Sequence, residues 1–166
     1  MQVQSQDLNV NYGANNLNTC QNKFVGIWKW ENNGNNFTLN LKKQNISIPP
    51  YERNVKADIL YGFHKYVKNN EIIENSLNNS TYDYESGKFT LSAGLGVRCS
   101  NNILEGSIYH ISKNNKRVHF EIEYIDATHI KLVSLSNSPG TKVNISGQPE
   151  YDWSINLPQN IILTKQ

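Results

Sequence analysis

No run in this 166-residue chain approaches the roughly 18 to 20 consecutive apolar residues of a membrane helix, so no membrane span is expected. Blocks of one charge are also missing. The 16 Lys and Arg interleave with 14 Asp and Glu, which leaves no electrostatic footprint for nucleic acid and points to an uncharged or weakly charged partner. No Gly-rich phosphate loop, His-Glu-x-x-His, Gly-x-Ser-x-Gly or Cys-x-x-Cys occurs, so no enzyme chemistry and no cofactor are expected. No window repeats apolar residues at i, i+3, i+4 and i+7, which excludes an amphipathic helix as the building unit.

Residues 1 to 19 hold neither an apolar h-region nor a basic n-region, and Leu17-Asn18-Thr19-Cys20 lacks the apolar segment of a lipid anchor. The polar leader before Phe24 reads as the tether left after an export signal is removed. The expectation is an exported protein, secreted, periplasmic or at the cell surface, with residues 1–22 a flexible leader and 23–166 one domain. Only two cysteines are present, Cys20 and Cys99. A disulfide between them would close a loop of about 80 residues and contribute on the order of 4 kcal/mol. The other reading is two separate buried thiols acting as small hydrophobes.

What the chain has in excess is asparagine, 26 residues, much of it in turn positions between short apolar alternations. Asn33-Gly34 is the strongest of these turns. A two-residue hairpin there opposes Trp30 to Phe37, Trp28 to Leu39 and Gly26 to Leu41, collecting the apolar residues on one face and Lys29, Glu31, Thr38 and Asn40 on the other. Ser86-Gly87, read the same way, opposes Tyr84 to Phe89 and Tyr82 to Leu91. Asn114-Asn115 opposes Ile111 to Val118 and Tyr109 to Phe120, which turns Tyr109, Phe120, Ile122 and Tyr124 inward. The same register sets His110 across from His119 with Glu121 nearby on the outer face; these read as solvated side chains, and no metal site is expected. Asn69-Asn70 and Asp126–His129 supply two more turns.

Counting runs places about ten strands, at roughly 24–31, 37–43, 56–67, 71–77, 81–85, 88–95, 103–111, 117–125, 129–135 and 160–165. Short sequential hairpins predict an all-β fold, a single antiparallel up-and-down barrel of about 8 to 10 strands. Closure, which removes the edge strands, would pair Ile161-Ile162-Leu163 with the strand that carries Gly26-Ile27-Trp28. Residues 136–158 form the one long connection, read either as an aromatic flap carrying Tyr151 and Trp153 or as an apolar plug.

Gly26-x-Trp28 on the first strand, a meander after it and a short last strand resemble the lipocalin and wider calycin group. The plan of residues 24–165 is also similar to small exported bacterial proteins of this type. The resemblance implies that Gly26 and Trp28 are structural, closing the barrel base. In lipocalins that Trp packs against an Arg near the last strand, where this chain offers Lys165. The Thr-Asp-Tyr motif of the group is not matched, because Thr81-Tyr82-Asp83-Tyr84 has another order. Trp30, Phe37, Tyr82, Tyr84, Phe89, Tyr109, Phe120 and Tyr124 fall on the faces assigned inward. If the lumen is open, they line a site for a small apolar or amphipathic ligand. If side chains fill it, they are core, and the protein acts through its loops as an interaction or inhibitor module for a protein or glycan.

Overall fold

A computed structural model describes residues 8–93, 102–138 and 145–166. Among the described residues there are ten strands: β1 (Asn15–Asn16), β2 (Gly26–Asn32), β3 (Asn35–Ser47), β4 (Lys56–Lys68), β5 (Glu71–Asn75), β6 (Leu91–Ala93), β7 (Ile103–His110), β8 (Lys116–Asp126), β9 (His129–Asn137) and β10 (Ile161–Lys165). Eight of them run β4-β3-β2-β10-β9-β8-β7-β6, and β6 pairs back onto β4 to close an antiparallel up-and-down barrel. β1 and β5 are additions outside that ring. The single edge of β4 that β3 does not occupy is shared by three partners in succession: β1 at Lys56–Ala57, β6 at Leu60–Gly62 and β5 at Lys65–Lys68.

The β2–β3 hairpin has the register expected from Asn33-Gly34, with Trp30 opposite Phe37, Trp28 opposite Leu39 and Gly26 opposite Leu41. The reason generalises. Every described non-glycine residue at positive φ is an asparagine, including Asn33, Asn69, Asn70, Asn114 and Asn115, because its short polar side chain tolerates the left-handed region that tight hairpins demand. Inward positions then fill a core of Phe24, Trp28, Phe37, Leu39, Leu41, Phe120, Ile122 and their neighbours, all almost fully buried.

Two expectations need correction. Ser86-Gly87 does not join strands over 81–85 and 88–95: Asp83 caps a 3₁₀ turn at Tyr84–Ser86 by accepting from Ser86 N at 3.0 Å, and Gly87 at φ +69° ends it. Only Leu91–Ala93 is strand there, and residues 94 and 95 lie outside the described residues. Asn114-Asn115 does turn the chain, but a 3₁₀ turn at Ile111–Lys113 removes three residues from the hairpin, so His110 meets Lys116 and Gly106 meets Phe120. A shift by an odd number exchanges the faces of β7. Tyr109 therefore points outward, 37% exposed, and His110 is fully buried inside. His119 lies opposite Ser107, away from His110. β10 joins β2 as closure requires, with Thr164 opposite Lys29 and Lys165 opposite Trp28.

The base of the barrel is closed by the 3₁₀ helix Thr19–Phe24. Trp28 is fully buried, and its Nε1 donates to the Phe24 carbonyl at 2.7 Å. The Lys165 ammonium lies 5.1 Å from the Trp28 ring centroid, a cation–π contact. Gly26 is favoured here by its φ of +141°, a conformation that L side chains rarely adopt. Beside it, Asp58 is buried and accepts from Asn18 N, Lys43 Nζ and Asn45 Nδ2 at 2.8–2.9 Å. Burial pushes its carboxyl up, and those three donors outweigh it and hold it below the ordinary aspartate value. Through Asn18 and the β1–β4 pairing, the described part of the leader, residues 8–22, is fastened to the wall. Cys20 is held in a disulfide; Cys99, the only other cysteine of the chain, lies outside the described residues.

The opposite end is covered by residues 145–160. Ile155 packs against the core and Leu157 is buried within it, while Trp153 stands outside, 53% exposed. Lys116 ties this segment down by donating to the carbonyls of Asp152 and Ser154 at 2.8 and 2.6 Å.

Two expected outcomes follow from the inward faces. Phe120→Asp should abolish folding, a loss of more than about 4 kcal/mol, whereas Glu121→Lys, on the outer face opposite Glu105, should be nearly silent. Thermal melts followed by circular dichroism check this, and similar midpoints for the two variants would contradict the register. Gln21 is fully buried with neither amide atom hydrogen-bonded among the described residues. Gln21→Leu should raise stability by about 1 to 2 kcal/mol in urea titration, and a loss instead would show that the amide is satisfied.

Candidate functional site

β4 reads without alternation, Ala57 to Tyr66 being buried at every position but Lys65. Both of its faces must be covered. Its inward face supplies Leu60, Gly62, His64 and Tyr66, paired with the inward residues of β3. Its outward face, with Ile59, Tyr61 and Phe63, lies beneath a strap formed by residues 76–90 between β5 and β6. The strap crosses β4 and hydrogen-bonds to β3. Lys42 Nζ donates to the carbonyls of Ser80 and Tyr82 at 3.0 and 3.1 Å, and Gln44 accepts from Tyr84 N at 2.9 Å while donating to Glu85 Oε2 at 2.6 Å. Tyr84 and Phe89 stack with centroids 4.7 Å apart, and both meet Tyr61 edge-on.

Between the strap and the β3–β4 turn lies a pocket of about 570 Å³, lined by Ile46, Ile48, Pro49, Tyr51, Tyr84, Glu85, Gly87 and Phe89, with Ser47. That size and mostly apolar lining fall in the range of small-molecule sites. On the other side of Gly87–Phe89 a second, more polar hollow of about 340 Å³ is bounded by Lys88, Thr90, Tyr109 and Asn115.

The strap is anchored at both ends by a buried polar seam. Its first and last residues, Ser76 and Thr90, hydrogen-bond to one another at 2.8 Å. Ser76 Oγ accepts from His64 N at 2.8 Å and donates to the His64 carbonyl at 3.0 Å, satisfying the edge of β4 where β5 has ended and β6 has not begun. Thr90 Oγ1 bonds His64 Nδ1 at 2.8 Å, and His64 Nε2 bonds Glu74 Oε2 at 2.7 Å. The other carboxylate oxygen of Glu74 accepts from His110 Nδ1, from Ser112 Oγ at 2.6 Å and from Ser112 N at 3.0 Å. Asn156 N donates to His110 Nε2 at 3.1 Å; that nitrogen is therefore the acceptor, and the ring proton sits on Nδ1 facing Glu74. Glu74, His64 and His110 are all essentially inaccessible. Burial pushes the Glu74 carboxyl up, but the donors from His110, His64 and Ser112 prevail and hold it well below the usual carboxylate range.

Of the aromatic residues expected to line a ligand site, the structure brings Tyr84 and Phe89 together in the larger pocket, and Phe89 and Tyr109 in the smaller hollow. Phe37 and Phe120 are fully buried core, against which Trp30 and Tyr124 pack half-buried. Tyr82 is at the surface with the Lys88 ammonium 3.8 Å from its ring centroid. Sequence reasoning missed Ile46, Ile48, Tyr51 and the whole His64–Glu74–His110 seam. The doubled apolarity of Ile59 to Phe63 was the available signal for a covered outer face. No cluster of His, Cys, Asp and Glu suited to a metal ion occurs among the described residues.

The fold and site together define a closed eight-stranded antiparallel β-barrel protein with a strapped outer wall. The chain belongs to DUF6705, a family of unknown function, whose model matches residues 1–166. No curated protein and no solved structure matches it. No helix among the described residues is long and apolar enough to cross a membrane.

The seam predicts a specific acid response. A carboxyl held below its unfolded value of about 4.5 contributes stability that is fully present above that pH and is lost as pH falls below it. Glu74→Gln should cost about 3 kcal/mol at pH 7, because it breaks a buried hydrogen-bonded charge, and should flatten the acid limb of the stability curve. Urea titrations from pH 3 to pH 8 would measure both. A variant within about 1 kcal/mol of the parent at pH 7 would remove the seam from its central place.

Proposed function

We propose that the protein is a non-catalytic binder of a small apolar or amphipathic molecule, held in the pocket between the strap and the β3–β4 turn. The observation that carries this reading is the pocket of about 570 Å³ whose stacked Tyr84–Phe89 pair and flanking Ile46, Ile48 and Tyr51 face a ligand-sized space. We further read the barrel as lipocalin-like. The 3₁₀ helix ahead of β2, Trp28 sealing the base and Lys165 against its ring support that likeness. The Cys20 disulfide supports an exported location, since disulfides persist in oxidising compartments.

A second reading, a protein- or glycan-binding module, draws on Trp153, which is exposed with Tyr151 edge-on at 4.6 Å. One comparison separates the two. Native mass spectrometry of protein from its own source should show a small molecule that denaturation releases, and Phe89→Ala should weaken its retention about tenfold or more through lost apolar contact. Trp153→Ala should leave retention unchanged. Retention that survives Phe89→Ala would exclude the strap pocket, and a protein or glycan partner lost only with Trp153→Ala would favour the module.

A further inference from the structure

The described lining of the pocket carries charge of one sign. Among the described residues, Glu85 is the only acidic or basic side chain that lines it, although the chain as a whole carries a net charge of +2. Two cations of the strap and the adjoining wall are engaged elsewhere. Lys88 lies over the Tyr82 ring, and Lys42 lies over Tyr61 while donating to two strap carbonyls. Glu85 forms no ion pair among the described residues; it is positioned by the neutral amide of Gln44 at 2.6 Å, which fixes the carboxylate without cancelling its charge. Around it stand three aromatic rings, Tyr51, Tyr84 and Phe89. Aromatic faces carry negative potential and attract an organic cation, most strongly when the cation is partly desolvated. An anionic head would meet the same faces and the carboxylate, with no Lys or Arg among the described lining residues to offset repulsion.

Resting on the binding pocket proposed above, we propose that its ligand is cationic: an ammonium group held by Glu85 and the aromatic rings, with an alkyl or other apolar portion against Ile46 and Ile48. The charge selects the head, and the apolar floor supplies affinity for any amphiphile of suitable length.

Isothermal titration of the full chain at low salt, with octyltrimethylammonium, octyl glucoside and octyl sulfate each below its micelle concentration, tests this. The cation should bind about fivefold or more tighter than the neutral glucoside, with the sulfate weakest. Glu85→Gln, at an exposed position that leaves the core untouched, should weaken the cation about three- to tenfold and leave the glucoside unchanged. Phe89→Ala should weaken all three. Equal binding of the three probes, or tightest binding of the sulfate, still sensitive to Phe89→Ala, would overturn charge selection and leave the pocket standing. Binding of no probe, or binding indifferent to Phe89→Ala, would overturn the pocket and the cation preference together.

Discussion

One carboxylate holds the site's architecture in place. Glu74 projects from β5 into the gap where β4 has lost one edge partner and not yet gained the next, and its two oxygens gather His64 from β4, His110 from the end of β7 and Ser112 from the turn beyond. A buried charge is tolerable only when its hydrogen-bonding capacity is filled, and these groups fill it. The consequence reaches the surface. His64 in turn holds Thr90, and Thr90 holds Ser76, so the two ends of the strap are clamped at the same point. The pocket exists because that clamp makes residues 76–90 lie back across the outer wall instead of forming another hairpin.

The strap also accounts for β4. A barrel strand with solvent on one side alternates, and β2 does so; β4 is buried on both faces because its outer face is roofed. The roof spans polar edges as well as apolar ones. Lys42 and Gln44 of β3 satisfy strap carbonyls and amides, so the backbone crossing the wall is not left without partners. Tyr61 of the wall and Tyr84 and Phe89 of the strap then pack as one aromatic unit, and the pocket opens beside it.

The two ends of the barrel are closed by different means. At the base, Trp28 is fixed by the Phe24 carbonyl and the Lys165 ammonium. At the other end, the 145–160 segment is drawn down by hydrogen bonds to Lys116 and His110, with Ile155 and Leu157 beneath. Burial holds the Lys116 ammonium below the usual lysine value, and two carbonyl acceptors satisfy it. The larger of the two described pockets lies apart from these closures, on the outer wall.

Sequence alone determined what depends on neighbours along the chain. The Asn-Gly turn set the β2–β3 register, the Asn-Asn pair at 69–70 made the β4–β5 turn, and strict alternation placed Trp28, Phe37 and Phe120 inside. Hairpin turn geometry is local, so these were legible. Tertiary structure decided wherever a long-range polar bond outweighed local preference. Ser112 bonding to Glu74 accompanies a 3₁₀ turn that shifts the β7–β8 register and turns His110 inward; Ser76 and Thr90, linked through His64, bend a would-be hairpin into a strap. Neither contact has a sequence signature, because its partners lie from 12 to 38 positions apart, and only the closed barrel brings them within reach.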